Sequence, residues 1–324
     1  MTLAKYGLLL LLLFTNSSIA QLHQTFSYLN EDKSTRDLHY STWGSESNPV
    51  VLLLSGPIAT WHSDSAIWAK LAPMLAEKFY VIALDRVSVV NEFKDGGLGY
   101  VPFSDDIKTF VLSKNLTQFS IVSFASSNLT VVSLAPQVKK RISKVILLDP
   151  DVLTPQSITR YQKDTQPFKD NQQQYAEYIQ AGKYIPRVEQ KNQMELEEIK
   201  TIIGSDNQYD RNYFAYMQSK RLLVQNQLNL FKEIPIYAQE LSLAENLKLP
   251  TDIPLIIVDS QFESQEIEQA KTEEQKQSLV DWQKDAKAYY QRLTNEANDG
   301  RYIESQSLSH MLPFSEAELI KSLL

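Results

Sequence analysis

Histidine, serine and the acidic residues are the side chains in this 324-residue sequence whose placement invites a chemical reading. There are four histidines and no cysteine. His310 stands in S-L-S-H-M-L-P-F near the C-terminus, and His62 lies beside Trp61 in a loop expected at the surface. His23 and His39 carry no motif. No H-E-x-x-H or related spacing links them, so no metal is expected. No glycine-rich loop could cradle a phosphate, and no cofactor is expected. The run Ser123-Phe124-Ala125-Ser126-Ser127 directly follows the apolar stretch Phe119–Val122, while Asp149, Asp151 and Glu263 lie at or just beyond the ends of similar stretches. Hydroxyl, imidazole and carboxylate are the parts of nucleophilic and general-base catalysis.

The elements that must position these residues follow from hydrophobic pattern. Gln24–Leu29 and Leu38–Trp43 have strand character. Val50–Leu54, Phe79–Leu84, Phe119–Val122, Lys144–Leu148 and Pro254–Val258 are continuous apolar runs, as in strands buried on both faces of a parallel sheet. Arg301–Glu304 is expected as a last strand and Glu316–Leu324 as a closing helix. Between them, Asp64 or Ser65 can cap a helix carrying Ile67, Leu71 and Leu75, and Ser104 opens another with Ile107, Phe110 and Val111 on one face. A further stripe, Leu279, Trp282, Ala286, Tyr289 and Leu293, reads as a helix packed on the sheet. The segment 264–278 reads as a solvated helix or loop. Strands alternating with helices give an α/β fold with a doubly wound, mostly parallel sheet. Residues 156–249, rich in Gln, Lys, Glu and Tyr, form a helical cap insertion dividing a core of 21–155 and 250–324. Tyr209, Tyr213, Tyr216 and Tyr237 within it either line an apolar pocket or pack between helices.

Composition narrows the partners. A net charge of −7 and a pI near 5.3 argue against nucleic acid and anionic membrane surfaces, leaving a small-molecule ligand or substrate, or a protein. Residues 1–20 read as a signal peptide: Lys5, the apolar run Gly7–Phe14, and Ser18 and Ala20 at the −3 and −1 positions of a cleavage site before Gln21. The run is far short of the ~20 apolar residues that span a bilayer, so no stable anchor is expected after cleavage. The expectation is an exported protein, periplasmic or secreted; lack of cysteine fits a bacterial periplasm best. N-x-S/T matches begin at Asn16, Asn115 and Asn128 and matter only in a eukaryotic secretory pathway.

The ordered segments resemble the α/β-hydrolase superfamily over essentially the whole mature chain. V-V-L-L-L-S-G-P (50–57) is similar to the strand and turn that build half of an oxyanion hole. A-P-M-L-A-E-K-F-Y-V-I-A-L-D-R (72–86) is similar to the next helix end, strand and D-R turn. F-S-I-V-S-F-A-S-S-N-L-T-V-V-S-L-A (119–135) resembles the strand, nucleophile elbow and helix. K-V-I-L-L-D-P-D (144–151) and P-L-I-I-V-D-S-Q-F-E (254–263) resemble the strands that can bear the acid. G-R-Y-I-E-S-Q-S-L-S-H (300–310) resembles the last strand and histidine loop.

The resemblance implies that His310 is the general base, that Glu263 or Asp151 is the orienting acid, and that Asp149 is a structural strand-end residue. It also implies a defect. The pattern G-x-S-x-G is S-F-A-S-S here, so Ala125 holds the nucleophile position. Removing such a serine from a protease costs on the order of 10⁶ in kcat. One oxyanion donor would be the N–H of Ser126. The other position is Pro57, which has no N–H, a loss of about 10²–10³ in rate. After Asp85-Arg86, where the family often has a glycine-rich turn, stands V-S-V-V (87–90). Ser123 should point into the packing, and Ser126 should aim about 100° away from the nucleophile direction. The expectation is an impaired or non-catalytic protein, a pseudoenzyme that binds a ligand or partner under its cap. The alternative is a serine hydrolase of an ester, amide or lactone using Ser126 with His310. A third option is proton-transfer chemistry by the histidine without a nucleophile.

Overall fold

The computed structural model describes residues 21–30, 33, 35–57, 62, 64–90, 97–204, 208–244 and 247–324. The proposed leader and Trp61 lie outside these residues. The chain opens with β1 (Gln21–Leu29), β2 (Thr35–Trp43) and β3 (Val50–Ser55). Asp64 then accepts the Ala66 N–H at 3.1 Å and caps a short 3₁₀ turn, Ser65–Trp68, before α1 (Leu71–Leu75). There follow β4 (Tyr80–Asp85), α2 (Val87–Val90), α3 (Tyr100–Ser113), β5 (Phe119–Phe124), α4 (Asn128–Val138) and β6 (Ile142–Leu148).

The insertion supplies α5 (Pro155–Asp170), α6 (Gln172–Gln180), α7 (Ile185–Ile203), α8 (Arg211–Arg221) and α9 (Val224–Ala244). The core resumes with β7 (Leu255–Asp259), α10 (Phe262–Glu268), α11 (Glu273–Glu296) and β8 (Gly300–Glu304). It closes on α12 (Leu312–Ser315) and α13 (Ala317–Leu323).

The strands form one sheet in the order β1-β2-β4-β3-β5-β6-β7-β8. β1/β2 and β2/β4 pair antiparallel, and every other neighbouring pair is parallel. Alternate residues of each inner strand feed opposite cores, as a period of two requires. Leu52, Leu54, Ile121, Leu147 and Ile257 face α3, α4 and α11 through Phe103, Ile107, Leu129 and Tyr290. Val51, Leu53, Val122, Ile146 and Val258 face Trp68, Leu71, Phe314 and Ile320. Covering both faces is why these strands read as unbroken apolar runs rather than alternating ones.

Three expected helices differ in extent. The first is divided into the Asp64-capped turn and α1. The segment 264–278 contains α10, a break, and the start of α11, where the Thr272 hydroxyl caps Gln275 N–H at 3.1 Å. The third, α3, starts four residues before Ser104, because its first N–H groups are met from the insertion. Glu240 on α9 accepts from Tyr100 N at 2.8 Å and Val101 N at 3.2 Å. A carboxylate at a helix N-terminus satisfies orphan donors and suits the helix dipole. Gly99, at φ 111°, makes room for it: a Cβ there would stand 2.4 Å from Glu240 Oε1.

About two turns back along α9, Glu233 grips the core more firmly. Arg86 donates to it from Nε and Nη2, each at 3.0 Å, Ser88 Oγ donates at 2.8 Å and Gly99 N at 3.1 Å. Both members of this ion pair are buried, and Arg86 also donates to Ser55 O at 2.7 Å. Replacing Glu233 by alanine should therefore cost about 3–5 kcal/mol, because it strands a buried guanidinium. Urea unfolding of Glu233→Ala against the parent checks this.

Candidate functional site

The turn at the end of β5 is built by an unusual backbone and a well-placed hydroxyl. Ala125 adopts φ 50°, the left-handed region that costs a non-glycine residue roughly 1–2 kcal/mol. A single 3₁₀ turn, Ala125–Ser127, then leads straight into α4. Ser127 Oγ accepts the Phe124 N–H at 3.1 Å, lies 2.7 Å from Ser123 Oγ, and is in reach of Leu54 O at 2.9 Å. Gly56 presses against the other side: a Cβ there would fall 2.7 Å from both Ser126 N and Ser127 N. The apex of this sharp turn therefore presents the buried Ala125 methyl, and the residue after Gly56 is Pro57.

The hydroxyl next to the apex lies beside a buried carboxyl. The Asp151 carboxyl accepts from the Tyr237 hydroxyl on α9, and Ser126 next to it favours its charged form. Asn128 Nδ2 donates to the Asp151 carbonyl at 2.8 Å. Burial pushes the Asp151 carboxyl up, opposed by Tyr237 and Ser126. Tyr237 reaches in turn a cavity of about 380 Å³ between insertion and core. Pro57, Tyr100, Phe168, Phe231 and Ile234 contribute to its largely apolar walls. A smaller cavity of about 140 Å³, lined by Val132, Leu147 and Tyr289 among others, is separate from the apex.

His310 sits on the other side of the turn. Its ring stacks on Phe262, with centroids 4.0 Å apart and planes 4° apart, and meets Phe124 edge-on at 5.6 Å. Nε2 lies 3.6 Å from Asp149 Oδ2, longer than a direct hydrogen bond, and has no partner among the described residues. Burial drives the His310 pKa down to about 3, so at neutral pH this is a neutral ring beside a carboxyl, not an ion pair. Asp149 is at φ 41° and is anchored by Ser260, whose N–H and hydroxyl donate to it at 2.6 and 2.7 Å. Burial raises its pKa well above the usual carboxylate range.

The predicted site residues thus fall into two groups. Asp151 lies beside Ser126 and accepts from Tyr237, whereas His310 lies beside Asp149, which the sequence suggested was structural. Glu263 is buried in the first turn of α10 and pushed up to about 8 by burial and by Asp259; no hydrogen bond among the described residues joins it to His310. Its neighbour Phe262 is what touches the ring. His62, expected at the surface, has only 10 % of its side chain exposed. Its N–H and Nδ1 both lie 2.7 Å from Glu195 Oε1 on α7. The reason is a partner in the insertion far along the chain, which no local pattern reveals. Of the four tyrosines, Tyr237 lines the cavity, while Tyr213 is fully buried against Trp43. Among the described residues no group of three or more His, Asp or Glu could hold a metal, and no helix is long and apolar enough to cross a membrane.

No protein-family model matches the chain. Among solved structures, an alpha/beta hydrolase fold protein from Burkholderia ambifaria superposes with a TM-score of 0.56 at 14% identity, covering 93% of this chain and 98% of that one. The chain has the α/β-hydrolase fold. A thermophilic esterase from Thermogutta terrifontis shares the fold with a TM-score of 0.53 and 14% identity over 93% and 96% of the two chains. The epoxide hydrolase CorEH does so at 0.56 and 14%, over 93% and 96%. In sequence, 112 residues are 29% identical to 1H-3-hydroxy-4-oxoquinoline 2,4-dioxygenase of Pseudomonas putida, 34% of this chain and 41% of that protein. The turn after β5 is a sharp strand-to-helix turn of the kind on which G-x-S-x-G motifs place a serine, and here Ala125 holds its left-handed apex.

The buried imidazole has a consequence for acid stability. The unfolded chain protonates His310 near its ordinary 6.5, but the folded ring resists until about 3. Its contribution is therefore complete above the unfolded pKa and is lost as pH falls through this window. Between about pH 6 and about pH 4, the parent should lose about 2 kcal/mol more stability than His310→Phe. Urea titrations at both pH values measure the difference.

Proposed function

We propose that this protein is an exported, ligand-binding member of the α/β-hydrolase fold that has no serine-nucleophile chemistry. The observation that carries the reading is the methyl of Ala125 at the apex of an otherwise well-formed elbow. Pro57 strengthens it, since proline leaves the second oxyanion position without a donor. So does the lack of a hydrogen-bond partner at His310 Nε2. The cavity beside Pro57 remains, large enough for a small molecule, with aromatic and aliphatic walls. Its ligand is a small, mainly apolar compound held under α5–α9.

Treating the purified protein with a fluorophosphonate probe tests the chemical half of this reading. Neither covalent labelling nor ester turnover above background is expected; labelling abolished in both Ser126→Ala and His310→Ala would establish the serine hydrolase instead. The binding half is tested with nitrobenzene as a minimal ring probe. It should bind the parent, and Ile234→Trp, which fills the cavity, should weaken it at least tenfold.

A second reading is favoured by the Asp149–His310 contact together with the sequence likeness to the P. putida dioxygenase: proton-transfer chemistry on a bound ring compound without a nucleophile. Oxygen uptake with 1H-3-hydroxy-4-oxoquinoline, lost in His310→Ala, would support it. No uptake above a protein-free control would remove it.

A further inference from the structure

The insertion and core meet in a second acid–histidine pair, remote in sequence from the one beside the elbow. Glu195 Oε1 lies 2.7 Å from both the backbone N–H and Nδ1 of His62. Its other oxygen, Oε2, accepts from Arg221 Nη1. Arg221 is in turn held by Asp64, donating from Nη2 to Oδ1 at 2.8 Å, and by Asn192 Oδ1 at 2.9 Å. With donors on both carboxylate oxygens, Glu195 can only accept, so the ring proton belongs on Nδ1. Nε2 then carries the lone pair.

His62 lines the 380 Å³ cavity together with Lys191, Arg221 and Glu233. Glu233 is engaged by Arg86 and Ser88. Burial and the positive charges of Arg221 and Lys191 hold the His62 pKa well below its ordinary value, which keeps the lone pair available at neutral pH. Beside the aromatic and aliphatic walls of Phe168, Tyr184, Phe231 and Ile234, a fixed acceptor of this kind favours a donor on the ligand.

The geometry points to His62, oriented by Glu195, as a hydrogen-bond-accepting subsite for a ring compound bearing a hydroxyl group, whose O–H donates to Nε2. This rests on the reading of the cavity as a ligand site and adds the chemical class of the ligand. Binding involves a hydrogen bond and no transfer of atoms.

The test compares para-nitrophenol, kept protonated by working well below its own pKa, with nitrobenzene, the same ring without the hydroxyl. Calorimetry on the full protein should show para-nitrophenol binding about tenfold more tightly, the value of one well-made buried hydrogen bond. His62→Phe should abolish that advantage, so that the two compounds bind the variant with equal affinity. On the unmodified protein, ring-nitrogen NMR should show the His62 Nε2 resonance moving with para-nitrophenol and not with nitrobenzene, a readout that needs no substitution. If nitrobenzene binds but the hydroxyl gains nothing and the resonance stays still, the subsite is wrong and the cavity reading survives. If neither compound binds, both are wrong.

Discussion

The sharp turn that ends β5 is the constraint around which the rest of the molecule is arranged. A chain leaving a central strand must reverse into a helix within three residues, and it does so by placing Ala125 in a backbone region that L-residues avoid. The strain is tolerated because both sides of the turn are fixed. Ser127 ties its base to β3 and β5, and Gly56 lets the β3 loop approach to a distance that a single methyl would prevent. These contacts hold the apex in place whether or not it bears an oxygen. The geometry of the turn thus depends on backbone packing and not on the identity of the side chain at its apex.

The sheet was legible in the sequence because burial on both faces leaves a strong local signal. Val50–Leu54 or Lys144–Leu148 can hardly be anything but inner strands, and both lie inside the parallel part of the sheet. The turn between β5 and α4 was legible for the same reason, being bounded by the strand before it and the helix after it. Legibility ended where partners come from far away. Nothing around His62 announces Glu195, and nothing around Tyr100 announces Glu240. The Asp149–His310 contact leaves no local trace either, because an L-L-D-P strand end looks the same whether its carboxylate faces a loop or a ring. Composition of the insertion showed helices but not which of their charged residues turn inward.

Those inward charges explain how a polar, Gln- and Lys-rich segment can cover an apolar floor. Glu233, Glu240, Glu195 and Arg221 are buried, and each meets a donor or acceptor of the opposite kind. Buried ion pairs add little net stability compared with apolar packing, but they penalise any arrangement that leaves one member alone. They therefore fix where the insertion sits. The cavity beneath it owes its shape to that registration as much as to the aromatic side chains along its walls.

The capping of α3 by Glu240 bears on how the chain acquires its structure. The donors at residues 100 and 101 wait for a carboxylate supplied some 140 positions later, so the start of a core helix is completed only when the last helix of the insertion docks. Such distant closure is slow and comes at a high cost in chain entropy. It also binds the two regions into one cooperative unit: excising the insertion would not leave a smaller, intact hydrolase-type core but one with a frayed helix beside its central strands.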